Sequence, residues 1–169
     1  MSPGPIPPAG TLAFESASVG MLVVHAVLGF TSVGASTHHA VYSVLIARGQ
    51  KRFAQLRRFS LIAPAAVITQ VLLGMALYPT YRVRVRAADF DLHAPVLTQL
   101  FDLKEHLAAL SVPLLLGAVL LGRTLTQDPP PPPATPKVLA TLSVTAAAFI
   151  WTTALIGSYI TARHPVGMP

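Results

Sequence analysis

The chain has no cysteine, few charges and no long polar stretch. Without cysteine there can be no disulfide, thiolate metal site, iron–sulfur cluster or covalently attached c-type haem. Charged residues make up 11% of the 169 positions, whereas a soluble domain carries about 25%. No glycine-rich phosphate loop, no Ser/His/Asp set in a nucleophile context and no internal repeat is found. The first sixteen residues lack the positive region of a signal peptide, and the run that follows is too long for a signal core. The first apolar helix is therefore expected to be retained.

What is present is apolar. Hydrophobic residues account for 53% of the chain and gather in runs too long for the core helices of a soluble protein. Four such runs, at about 18–47, 59–78, 102–122 and 138–162, predict an all-α integral membrane four-helix bundle. The expected topology is up-down-up-down in a single membrane domain surrounded by lipid. Residues 1–16 read as an irregular Pro/Gly-rich segment. Residues 123–137 form a proline-rich loop whose run Pro129 to Pro133 favours stiff polyproline II. That run reads as a rigid spacer, with docking to an aromatic groove of a partner as the alternative.

The net charge of +6 would point to nucleic acid in a soluble protein. Here the cations sit in short loops beside apolar runs, so topology and lipid headgroups account for them and nucleic acid is not expected. One side of the membrane holds Arg48, Lys51, Arg52, Arg57, Arg58, Arg123 and Lys137 against Asp128 alone. The other holds Arg82, Arg84, Arg86, Lys104 and Arg163 against Glu15, Asp89, Asp91, Asp102 and Glu105. The positive-inside rule then predicts a bacterial-type inner membrane protein with both termini on the non-cytoplasmic side.

The first run carries no charge but three histidines, His25, His38 and His39. At 100° per residue, His25, Gly29, Ser32, Ser36, His39 and Ser43 fall within about 40° of one direction, a polar seam on an otherwise apolar helix. His38 points elsewhere. In the third run, the sequence Asp102-Leu-Lys104-Glu105-His106 places another imidazole near the same end as His25. Two opposed neutral imidazoles are what a low-spin haem b requires as axial ligands. If the first and third helices are neighbours, His25 and His106 are the candidate pair. Gly29, Pro113 and Gly117 then leave room for the macrocycle, and Arg82, Arg84 and Arg86 can meet its propionates. Strict alternation through Tyr81-Arg82-Val83-Arg84-Val85-Arg86 predicts an extended segment with the three arginines on one face. Snorkelling to lipid phosphate is their other reading.

Asp102 is one turn before His106 and can orient its ring through the second nitrogen. Alternatively His25, Asp102, Glu105 and His106, joined by His93 or His164, could bind a metal ion or form a proton path to a quinol. Asp102 and Glu105 also suit a plain helix start. Gln70 reads as an interhelical hydrogen bond, and the threonines of the fourth run as packing groups.

A first helix with polar histidines, a basic first loop and a second helix ending in Leu77-Tyr78-Pro79 resemble small four-helix membrane proteins of the cytochrome b and copper-resistance-D-like kind. His39 follows His25 by 14 positions, about 21 Å along one face. This resembles the paired haem ligands in helices of di-haem membrane cytochromes b. In that family a second helix repeats the spacing; here position 120, fourteen after His106, is Leu120. The resemblance implies a haem b-binding electron-transfer subunit of a redox complex, with quinone or an outer protein as its partner. A non-catalytic subunit of a larger membrane complex and a metal- or proton-handling protein remain the alternatives.

Overall fold

The computed structural model describes residues 8, 10–126 and 131–163. It has four long helices: α1 Ser18–Ala47, α2 Phe53–Tyr81, α3 Pro95–Thr124 and α4 Thr135–Arg163. A 3-10 turn, Glu15–Ala17, leads into α1. No strand occurs among the described residues. Each long helix is long and apolar enough to cross a membrane, and the chain is a multi-pass membrane protein with an all-α four-helix bundle.

The end of α1 follows from local chemistry. Gly49 adopts φ +86°, a left-handed conformation that costs glycine little. This lets Gly49 N–H donate to the Ile46 carbonyl at 2.9 Å and Gln50 N–H to that of Leu45 at 3.0 Å. The two bonds satisfy carbonyls that the helix end would otherwise orphan.

The connection between α2 and α3 differs from the sequence expectation. Pro79 does not end α2 at Tyr78; it lies inside the helix, which continues to Tyr81 and passes into a π-helical segment, Arg82–Phe90. A single helical turn, Asp91–His93, follows. The arginine segment is thus helical, not extended, and its three cations do not share a face. A helical path keeps backbone groups paired near the membrane, which a lone extended strand cannot do. α3 begins seven residues before Asp102, with Pro95 in its first turn, where a missing N–H costs no hydrogen bond. The helix thus starts before the expected position 102, and residues 96–100 are its first turns. α2 also begins earlier than the expected position 59, because the arginines of the first loop are tolerated in its exposed first turns.

Each long helix packs against two neighbours, in the cyclic order α1–α2–α3–α4. The α2–α3 seam is the most loosely packed, and α1 and α3 lie across the diagonal. The bundle centre uses Val33, Ala35, Ala63, Val67, Leu115, Ala146 and Ile150. Alanine at three of these positions lets the helices approach closely, as membrane bundles require when apolar burial gives no net drive. Large side chains point outward instead: Phe30 is 78% exposed, Met75 66% and Leu155 63%. In a bilayer these surfaces contact lipid.

Candidate functional site: a polar file inside the bundle

The seam of α1 faces the bundle interior. Ser32, Ser36, His39 and Ser43 are all buried, His39 and Ser43 completely. His25 begins the file in a half-buried position. Its Nε2 accepts a hydrogen bond from Gln70 Nε2 at 3.0 Å, joining α1 to α2. Two glycines make that meeting possible. A Cβ at Gly74 would lie 3.3 Å from His25 Cε1, and one at Gly29 would lie 3.4 Å from Gln70 Nε2. Lys104, in the N-terminal part of α3, reaches toward α4. Its Nζ stands 4.3 Å from the centre of the Phe101 ring, and its Cδ is 3.7 Å from where a Cβ on Gly157 of α4 would sit.

The second imidazole of the file, His39, places Nε2 3.1 Å from Ser60 Oγ on α2. One turn on, Ser43 Oγ is 2.8 Å from the His39 carbonyl and 3.0 Å from Ser143 Oγ on α4. Ser143 Oγ is also 2.8 Å from the Leu139 carbonyl. A hydroxyl has one proton, so either serine donates to the other only by releasing its own backbone acceptor. From His25 to Ser43 the file covers about 27 Å of helix, close to the roughly 30 Å hydrocarbon thickness of a bilayer.

Five buried side-chain atoms among the described residues have no hydrogen-bond partner: His25 Nδ1, Ser32 Oγ, His39 Nδ1, Gln70 Oε1 and Tyr81 OH. Four of the five belong to the file. Buried polar atoms in native proteins are normally satisfied, by protein or by ordered water.

The other histidines are arranged differently. His38 stacks on Phe59, with ring centres 4.9 Å apart, and its Nδ1–H donates to the Gly34 carbonyl at 2.8 Å. His106 is exposed, and its Nδ1–H donates to the backbone carbonyl of Asp102 at 2.6 Å. The carboxylate of Asp102 does not orient that ring, because Arg86 holds it with contacts of 2.8 and 3.3 Å. Arg86 also approaches Asp91, at 3.5 Å. Arg84 pairs with Glu15 at 2.7 Å and donates to the Pro8 carbonyl. Arg82 is exposed. His93, exposed, meets Asp89 at 3.0 Å.

Two expected constellations are therefore not assembled. His25 turns toward α2 while His106 turns out of the bundle, on helices that are diagonal rather than adjacent. As placed, the pair does not fit the axial positions of one haem b, and Arg84 and Arg86 already have carboxylate partners. His39 is bonded to Ser60 and faces no other histidine among the described residues. No group of three or more His, Cys, Asp or Glu converges among the described residues, so His25, Asp102, Glu105 and His106 do not form a metal cage there. His164 lies outside the described residues, as do Asp128, Pro129 and Pro130.

Sequence reasoning missed Ser60 and Ser143 as partners of the file, and it did not connect Gln70 to His25. The only available signal was small or polar residues inside apolar runs, which marks many packing positions equally. No protein-family model, curated protein or solved structure matches this chain.

Proposed function

We propose that this protein is a membrane-embedded proton-handling subunit whose working element is the α1 file. The observation that carries the reading is the run of buried unpartnered atoms at His25, Gln70, Ser32 and His39. Intramembrane ionisable groups are costly and are generally retained for function. A neutral imidazole can take a proton on one nitrogen and release one from the other, and a change of tautomer resets it. The hydroxyls of Ser43 and Ser143, each with a backbone carbonyl competing against the other serine, can turn to continue the transfer. Water bonded to the unpartnered atoms would bridge the gaps between side chains. In this reading the basic end of the bundle lies in the cytoplasm of a bacterial-type cell, and protons enter or leave beside His25 at the opposite end.

Reconstitution into vesicles containing a pH-sensitive dye tests this reading. A potassium diffusion potential should drive proton flux that falls at least about tenfold in His39→Ala. No flux above empty vesicles, alone or with any co-purifying subunits, overturns it.

One observation favours a second reading, a haem b-binding electron-transfer subunit of a redox complex. The Nδ1–H of His106 is fixed on a carbonyl, which leaves Nε2 free, the arrangement that metal-ligating histidines commonly show. Because the ring faces outward, the opposing ligand would come from another subunit rather than from His25. Bound haem b would supply one-electron transfer to a quinone or protein partner. A reduced-minus-oxidised visible spectrum of the purified complex tests this, and the absence of a b-type band after haem supplementation rules it out.

A further inference from the structure

The two ends of the bundle treat their arginines differently. At the π-helical end, Arg84 and Arg86 are paired with Glu15, Asp91 and Asp102. At the other end, Arg57 in the first turns of α2 and Arg123 in the last turn of α3 are exposed and belong to no ion pair among the described residues. Between them the loosely packed α2–α3 seam opens into a groove of about 680 Å³. Its walls are chiefly apolar, with Phe53, Ala54, Leu56 and Leu61 along α2. Gly122 supplies the opposite wall, where a Cβ would sit 3.5 Å from Leu56 Cδ2, in ordinary contact across the seam. Leu61 is 63% exposed beside it, which leaves the groove open sideways to the bilayer.

We propose that this groove binds one anionic phospholipid, with an acyl chain along the α2–α3 seam and the phosphate between Arg57 and Arg123. The charge favours an anion, since this end of the chain carries seven Lys and Arg against a single Asp. The apolar lining and lateral opening favour an acyl chain over a soluble phosphate. Basic pockets between membrane helices near the headgroup level are suited to anionic lipid. A zwitterionic lipid brings its own cation and gains less from two guanidinium groups that have no carboxylate partner among the described residues.

Native mass spectrometry of the detergent-purified protein, titrated with phosphatidylglycerol or phosphatidylcholine, tests the site. The wild type should hold one phosphatidylglycerol with about 25-fold preference, roughly fivefold per cation. The double variant Arg57→Gln/Arg123→Gln should bring the preference close to one. Arg48→Gln/Arg52→Gln, which removes the same charge outside the groove, should leave it intact. Ala54→Phe keeps both cations, fills the groove from an exposed position and should weaken both lipids at least fivefold. If Arg57→Gln/Arg123→Gln does not fold, the Ala54→Phe result decides alone. Equal loss in the Arg48→Gln/Arg52→Gln variant overturns the proposal in favour of diffuse attraction. Displacement by equimolar glycerol phosphate overturns it in favour of a headgroup-only site, and displacement by an equimolar isoprenoid quinone overturns the choice of lipid.

Discussion

His25 and His39 lie in the same bundle as His38 and His106, yet the two pairs use their ring nitrogens in opposite ways. The inner pair each bond a side chain on α2, Gln70 or Ser60, and each leaves Nδ1 buried without a partner. The outer pair each donate Nδ1–H to a carbonyl one turn back on their own helix. A backbone bond of that kind satisfies Nδ1 within the helix and makes no hydrogen bond to another helix. The inner bonds tie helices together and leave the second nitrogen of each ring buried. Imidazole in these membrane helices thus either ties two helices together or bonds only to its own, depending on the face that bears it.

The largest expected effect breaks the inner arrangement at its most buried point. His39→Ala removes a fully buried ring and strands the Ser60 hydroxyl, so it should cost about 2–4 kcal/mol in an SDS or steric-trapping unfolding assay. Next is Gly74→Leu, which drives a side chain into the His25 ring and should cost roughly 1–3 kcal/mol while separating His25 from Gln70. A His25 imidazole NMR signal unchanged by that substitution would contradict the socket described for it. The Ser43–Ser143 contact is smaller. A double-mutant cycle of Ser43→Ala and Ser143→Ala should give a coupling of about 0.6 kcal/mol, typical of interhelical polar pairs in membranes. The smallest effect sharpens the contrast. His106→Ala should change stability by less than about 0.5 kcal/mol and leave proton flux unaltered. A large loss of stability there would erase the distinction between inner and outer histidines.

Much of the fold was legible because its cause is local. The first run, 18–47, coincides with α1, since an uncharged run bounded by Gly49 needs no distant partner to become helical. The polar seam was legible too, because a 3.6-residue period fixes which α1 residues share a face. The hairpin between α2 and α3 was not. Its alternating arginines read as a strand, but Arg84 and Arg86 find carboxylates on different elements, Glu15 before α1 and Asp102 in α3. Those partners are 69 and 16 positions away, beyond any local pattern. The same limit affected the pairing of His25 with His106. Similar position in two helices is a one-dimensional statement, while adjacency depends on how four helices are arranged around an axis.

The sequence alone determined that this chain is a membrane bundle of four helices with hydroxyl and imidazole groups along one face of the first. Apolar length sets the number of crossings, and helical period sets the face. Only the tertiary structure decided what that face meets. α1 packs between α2 and α4, so its histidines find Gln70 and Ser60 and its serine finds Ser143, while α3 stands across the diagonal with His106 turned away. The physical reason is that close approach in lipid depends on small side chains fitting opposite large ones. Gly29 and Gly74 open the α1–α2 seam for His25 and Gln70, a complementarity between two helices that neither sequence run states by itself.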